Sequence, residues 1–522
     1  MTGIAEIKIS KPKRSRKLDL DVLVGKDILE LVSGAMYVEP LSIYREYIQN
    51  AVDAIDEAKE QGLYKGRRQP RIDICIDPVE RIVKIRDNGI GVSKKDFIKR
   101  LTAFGASQKK GTSARGFRGV GRLSGLGYCQ QLIFRTRAKQ DAEVSELLWD
   151  GRRFKEILLD VKYHGGISDV VHGITEVSSY HDATYPEHFF EVELVNIIRY
   201  RKDILLNEEI IENYLTQVAP LPFHPKFKYG VEIQKFLENY QAGKNYPIYL
   251  TNINNEYELE PLYRPYRNGF NISNSLKDKF IGVEYFEIPG ISGAVAACGW
   301  LAEHSYYGAI PKRELIKGIR LRAGNIQVGS DEIVSEVFKE PRFNSWTTGE
   351  IHVLSKKVSP NGRRDNFEAN AHYMNLQNHL VPQTKNIAKT CRVRSNIRNK
   401  IGAFELEKHK VQENRKIIVQ SAITKKAEKE LKGKIVTSLS IMREIIEMNL
   451  FNKQDKRKLM RELYQLESSV DIGKAAKGVC KKLEDLPKNK RASYMEIIDL
   501  IYICSPNKGS AQILVDKILS KL

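Results

Sequence analysis

Cysteine is scarce in this chain and badly placed for metal chemistry. The six cysteines among 522 residues (Cys75, Cys129, Cys298, Cys391, Cys480, Cys504) include no CxxC pair. That argues against a structural zinc site and for the reduced thiols of a cytoplasmic protein. Long apolar runs are also missing. The longest, around IPGISGAVAACGWLA, is shorter than the ~20 residues a spanning helix needs, so no membrane partner is expected. The amino terminus, MTGIAEIKISKPKRSRKLDL, lacks the apolar core of a signal peptide. No GK[ST] follows the glycine-rich stretch and no GxGxxG is present, which excludes a P-loop and the dinucleotide fingerprint.

Charge, by contrast, is plentiful and uneven. The net charge is +20. From Val381 to Leu522 there are 31 Lys and Arg against 16 Asp and Glu, an excess of 15 in the tail alone. A second basic cluster, Lys11, Lys13, Arg14, Arg16 and Lys17, makes residues 1 to about 20 a basic arm. Such asymmetry suits an acidic partner, nucleic acid foremost, and suits equally a lysine-rich solvated helical surface.

The length allows about three domains. A helical pattern runs from Asp27, with a break near Glu39-Pro40, into REYIQNAVDA (Arg45–Ala54). On a helix Glu46, Asn50 and Asp53 share one stripe at i, i+4 and i+7. Ile43, Tyr47, Ala51, Ala54 and Ala58 form a neighbouring apolar stripe that would hold the helix to a core. Glu46 could accept a proton from water, and the Asn50 amide oxygen could ligate a hard cation such as Mg²⁺. Next, PRIDICIDPVERIVKIRDNGIGV alternates as two strands joined at Asp77-Pro78, ending in Asp87-Asn88-Gly89-Ile90-Gly91. Ser93 and Asp96 are spaced as a capping box, which starts a further helix. In the glycine-rich stretch that follows, Gly116, Gly119, Val120 and Gly121 belong to GFRGVG. Glycines there let backbone amides approach an anion closely.

Glu46…Asn50…Asp53, then Asp87-x-Gly89-x-Gly91, then GFRGVG resembles, in that order, the ATP site of the GHKL (Bergerat-fold) superfamily, which includes gyrase B, the ninety-kilodalton heat-shock chaperones, MutL, MORC proteins and histidine kinases. The run ILELVSGAMYVEPLSIYREYIQNAVDAID is most similar to the heat-shock chaperones. The resemblance implies ATP and Mg²⁺ as cofactors. It makes Glu46 the general base, Asn50 the Mg²⁺ ligand, Asp87 the acceptor for the adenine amino group, and Gly89 and Gly91 the backbone against which the base lies. Ser107 to Gly121 would be a lid over the phosphates, with Lys109 touching them. The family's Gly-Thr pair has a displaced counterpart in His172-Gly173-Ile174-Thr175. Thr175 joins the site only if a bulge restores its face. Asn361-Gly362-Arg363-Arg364-Asp365 matches the Asn-x-x-Arg-acid motif by which the chaperone middle domain reaches the γ-phosphate, pointing to Arg364. Lys312 and Arg313 are a second candidate pair.

The expected fold is therefore α+β: an α/β sandwich ATPase domain over 21–180, an α/β middle domain over 181–370 and an all-helical basic domain over 371–522. In the middle domain VEIQKFL, YPIYLTNI, YELEPLY, FIGVEYFEIPG and AVAACGWLAEH read as strands, and SDEIVSEVFKE as a helix. The expected function is a chaperone-like ATPase clamp closing on a protein client. The alternative is a MORC- or MutL-like clamp on DNA or RNA. In either case a homodimer is implied.

Overall fold

The computed structural model describes residues 39–522, apart from 65, 67–68, 103–120, 161, 164, 200–201, 253–259 and 471–479. The basic arm, the helical run before Glu39, Lys109, Gly116, Gly119 and Val120 thus lie outside the described residues. The chain divides into two units: residues 1–304, 310–337 and 347–381, and residues 305–309, 338–346 and 382–522.

The first unit opens with helix α1 (Ser42–Glu60). Strands β1 (Ile72–Asp77) and β2 (Ile82–Asp87) pair antiparallel, as their alternation requires. Helix α2 (Lys94–Thr102) follows Ser93, whose Oγ accepts from Asp96 N at 3.3 Å and donates to Asp96 Oδ2 at 2.8 Å. Then come β3 (Gln131–Arg137), β4 (Val144–Asp150), α3 (Gly151–Leu159), α4 (Ile167–Ile174), β5 (Thr175–Tyr180), β6 (Phe189–Val195), α5 (Glu208–Val218), α6 (Gly230–Asn239) and β7 (Ile248–Asn252). These strands form one seven-stranded sheet in the order β5-β4-β3-β6-β2-β1-β7, antiparallel except where β7 joins β1. One face carries Val83, Ile85, Leu132, Phe134, Leu147, Val192 and Leu194 into the main apolar core with α1. The opposite face carries the residues between them: Arg86 and Arg135 both pair with Glu191, and Lys84 pairs with Glu193. Period two thus separates an apolar helix-covered face from a charged one.

This topology corrects the boundary at 180. β6 lies between β3 and β2 in the middle of the ATPase sheet, and β7 closes its edge. The segment Phe189–Val195 is strand because Val192 and Leu194 alternate with the charged Glu191 and Glu193. VEIQKFL, read as a strand, is α6: Ile233 and Leu237 stand one turn apart and are both buried. A pattern V-x-I-x-x-F-L satisfies either period when it is this short.

The same unit contains a hairpin, β8 (Gly269–Asn271) and β9 (Lys277–Lys279), and a five-stranded sheet. The sheet comprises β10 (Gly282–Pro289), β11 (Val295–Glu303), β12 (Gly318–Ala323), β13 (Ile326–Val328) and β14 (Thr348–Val353), in the order β10-β11-β14-β12-β13. SDEIVSEVFKE forms only turns and a 3-10 helix at Ser335–Val337, not the expected α-helix. YELEPLY contributes a single bridge, Tyr249 to Pro261, among its described residues.

The interior of the second sheet is unusually charged. Glu350 is fully buried and accepts hydrogen bonds from Arg264, from Tyr266 at 3.1 Å and from His352 Nε2 at 3.2 Å, with Arg322 paired at 2.8 Å. Burial alone would raise the Glu350 carboxyl, but Arg264 and Arg322 outweigh it and hold it well below the usual range.

The second unit is helical: α7 (Ala371–Val419) enters it at Pro382, followed by α8 (Lys425–Glu447), α9 (Lys453–Val470), α10 (Lys481–Glu484), α11 (Lys488–Cys504) and α12 (Lys508–Lys521). Asn452 Oδ1 accepts from Asp455 N at 2.8 Å, and α11 starts after Pro487. Phe404, Val411, Ile435, Met442, Leu463 and Leu483 lie in its core. Among the described residues no helix is long and apolar enough to cross a membrane.

Burial holds the His352 imidazole down to about 4, against a partial upward pull from Glu350. The unfolded chain, with an ordinary histidine, therefore binds the extra proton between about pH 6.5 and 4. The stability it contributes is present above that window and is lost as pH falls through it, at up to about 1.4 kcal/mol per pH unit. Urea midpoints measured across this range should drop with acid, and His352→Gln should flatten the slope. An unchanged slope would mean that another group carries the acid sensitivity.

Candidate functional site

Helix α1 has almost no solvent face. Ile43, Tyr47, Ala51 and Ala58 are buried as the apolar stripe requires, and Tyr44, Ile48, Val52 and Ile55 are buried beside them. The polar stripe is drawn in too: Glu46 and Asp53 are each 8% exposed and Asn50 is half-buried. The next turn of chain is fastened here as well. Tyr47 Oη donates to Arg122 O at 3.1 Å and accepts from Gly125 N at 3.0 Å. This ties the short 3-10 helix Gly121–Gly127, the first described residues after GFRGV, to the helix bearing Glu46.

The Asp87-Asn88-Gly89-Ile90-Gly91 turn leaves the end of β2 and is clamped onto α1. Ile90 N donates to Ala54 O at 3.1 Å. Gly89 N donates to the buried Asp87 Oδ1 at 2.8 Å. A Cβ on Gly89 would lie 2.7 Å from the Ala54 backbone, and one on Gly91, at φ +71°, would collide with Arg137 O. Both glycines are therefore demanded by close backbone approach. Two further side chains hold this turn: Tyr64 Oη donates to Asn88 O at 3.0 Å, and His188 Nδ1 lies 2.7 Å from Gly89 O. At the end of β3, Thr136 Oγ1 accepts from Val92 N and donates to Phe189 O. Burial, then the charges of Asp87 and Asp56, raise the Tyr64 hydroxyl, keeping it a neutral donor.

Arg364 comes to the same place from more than 300 residues away along the chain. Its Nε stands 3.4 Å from Glu46 Oε1, and its side chain is buried where Arg363 is exposed. The contrast arises in the backbone. Arg364 has φ +57°, within a turn closed by Asn361 N to Asn366 O at 2.9 Å and Asn361 Nδ2 to Asp365 Oδ1 at 2.6 Å. A left-handed residue other than glycine stores strain, and such strain gathers at functional sites. Arg45 locks the turn in place: its Nη2 donates to Arg363 O at 3.1 Å and its Nη1 to Arg364 O at 3.4 Å. Gly329 N, just past β13, donates to Arg364 O at 2.9 Å, so the second sheet positions the turn.

The structure thus brings together Glu46, Asn50, Asp53, Asp87, Gly89, Gly91 and Arg364 around α1. Thr175 does not join them. It opens β5, at the far edge of the sheet with β4, β3 and β6 between it and β2, and its Oγ1 donates to Val171 O at 2.7 Å. Lys312 and Arg313 lie exposed in a 3-10 helix. The strands beside β2 are β1 and β6, and it is β6, not β5, that follows the His188 bend. The sequence signal missed was the second alternating run, FFEVELV, which begins at Phe189.

Residues 40–163 match a family model described as histidine kinase-, DNA gyrase B- and HSP90-like ATPase. This part of the chain is a GHKL-type ATPase domain. The chain is also similar in sequence to chaperone proteins named HtpG. The chain is 28% identical over 152 residues to the chaperone protein HtpG of Enterobacter sp. (strain 638), a match covering 26% of this chain and 24% of that protein. It is 28% identical over 142 residues to HtpG of Klebsiella pneumoniae subsp. pneumoniae (24% of this chain, 23% of that protein) and to HtpG of Salmonella typhi with the same coverage. The similarity spans about a quarter of these relatives' length.

Gly91→Ala in the GHKL domain should cost at least about 1–3 kcal/mol in urea denaturation, from the backbone strain alone. Gly173→Ala, in helix α4 with nothing within 4 Å of the new Cβ, should be neutral or stabilising. Equal effects would contradict the clamped geometry of the turn.

Proposed function

We propose that the chain binds ATP with Mg²⁺ against α1 and the Asp87–Gly91 turn and hydrolyses it slowly, as a chaperone-like dimeric clamp that closes on a protein client. The observation that carries this reading is the pair of Glu46 and Arg364 at 3.4 Å, both buried. Glu46 is the general base: its carboxylate takes a proton from the water that attacks the γ-phosphate. Arg364 is the cation for the γ-phosphate. Its guanidinium is permanently charged and presents a fork of donors to phosphate oxygens. In this structure it rests against Glu46, and a triphosphate offers it a more highly charged partner. Asn50, one turn from Glu46, fits a Mg²⁺ ion that keeps most of its waters and phosphate ligands. When bound, the ion would neutralise charge on the phosphates. Asp87 fits the exocyclic amine of the base.

The clamp itself rests on the name of the relatives, chaperone protein HtpG, and on the coupling of Arg364 to the second sheet. The charge excess of 15 from Val381 onward favours a second reading, a nucleic-acid clamp in the manner of MORC or MutL. Binding to DNA or RNA that weakens steeply with salt would select it.

Steady-state ATPase assays test the site. Glu46→Ala should leave ATP binding in place and lower turnover by about 10²–10⁴-fold. Arg364→Ala should nearly keep affinity and lose roughly 10²-fold or more in rate. The exposed neighbour supplies the control: Arg363→Ala should cost far less, and Arg364→Lys should rescue little. A harmless Arg364→Ala would reduce this arginine to a structural contact of Glu46.

A further inference from the structure

His188 occupies a position at the purine end of the candidate site that its loop-holding contact only half explains. In the β2–β6 register Asp87 stands opposite Phe190. His188 lies in the bend that leads into β6, and its hydrogen bond to Gly89 O brings it to the turn that leaves Asp87. It is 5% exposed, and its Nδ1 lies 2.7 Å from Gly89 O. A carbonyl oxygen only accepts, so Nδ1 carries the hydrogen. In the neutral ring that leaves Nε2 as a bare acceptor. Nε2 has no hydrogen-bond partner among the described residues. The ring is steadied by Tyr64, whose ring stands edge-on at 6.2 Å and whose hydroxyl holds the adjoining carbonyl of Asn88.

We propose that His188 is a base-reading residue whose Nε2 accepts the second amino hydrogen of a 6-aminopurine nucleotide, Asp87 accepting the first. This rests on the ATP-site reading and names its base selectivity. An exocyclic amine has two hydrogens, and two acceptors beside the same turn, a carboxylate and an imine nitrogen, match both. A 6-oxopurine presents an acceptor to both and is repelled.

Two substitutions separate base reading from loop holding. The amide of His188→Asn reproduces the Nδ1 donor and lacks the outer acceptor, whereas His188→Gln reproduces the outer position and lacks the inner donor. With the full chain, Mg²⁺ and calorimetry, the affinity of ATP should be compared with that of purine riboside triphosphate, which lacks the amino group. The unsubstituted protein should prefer ATP. In His188→Asn this preference should shrink about tenfold, the order of one hydrogen bond to a buried polar group, with the melting temperature nearly unchanged. In His188→Gln a larger part of the preference should survive despite lower stability. A preference retained in His188→Asn and lost in His188→Gln would overturn the inference, showing that the ring only holds the turn. Binding of ATP with no preference at all over the analogue would also overturn it while leaving an ATP site standing. No binding of either nucleotide by the unsubstituted chain would reject the ATP site itself.

Discussion

A carboxylate sits where water hardly reaches, and two arginines attend it. Glu46 on α1 has Arg364 Nε at 3.4 Å and Arg45 Nε at 3.9 Å. Removing a charge from water costs several kcal/mol unless partners are well placed, and losing one partner of a buried pair is more damaging than never having had the pair. The arrangement therefore constrains more than one side chain. Arg45 must reach the carbonyls of Arg363 and Arg364, Gly329 must bond the second, and the second sheet must stand where β13 delivers that loop. One buried charge thus couples the GHKL-type sheet to the strands that follow it.

The opposite charge bias appears deeper in the second sheet. Arg264, Arg320 and Arg322 are almost fully buried near the carboxylate of Glu350, and Gln217, Asn325 and Gln327 accept from the guanidinium Nη atoms of Arg264 and Arg320. Such a network tolerates few arrangements, since every unsatisfied member is costly. Arg320 Nη1 bonds Gln327 and Nη2 bonds Gln217, so the network links β12 to β13 and to α5. Under the proposed function a rigid sheet serves the Arg364 turn on its edge, because a loosely held arginine would find a phosphate only part of the time.

Much of the site was legible because its residues lie close together in sequence. Glu46, Asn50 and Asp53 share a helix, and Asp87, Gly89 and Gly91 share a turn, so spacing alone orders them. Arg364 is remote, and the resemblance of a five-residue motif located it. What spacing could not supply was strand order. Thr175 was placed by its nearness to a glycine, yet sheet neighbours are set by the hydrophobic face each strand can bury. FFEVELV buries Val192 and Leu194 beside β2, whereas TEVSSY is mostly exposed at the edge. The same error put the domain boundary at 180, because the strand that completes the sheet's centre arrives after the apparent end. VEIQKFL went astray for a different reason: seven residues are too few to distinguish the two periods. His188 carried no signal at all in the sequence; its hydrogen bond to Gly89 O is what brings it to the turn.

The central claim is that Asp87 and the turn behind it form a purine nucleotide site, and calorimetric titration of ATP into the unsubstituted chain and Asp87→Asn tests it most directly. The unsubstituted protein should bind, and the amide should abolish measurable binding, because an amide cannot accept from both Gly89 N and the base without stranding a buried donor, at about 1–3 kcal/mol or more. Equal affinity in the two proteins would contradict the account.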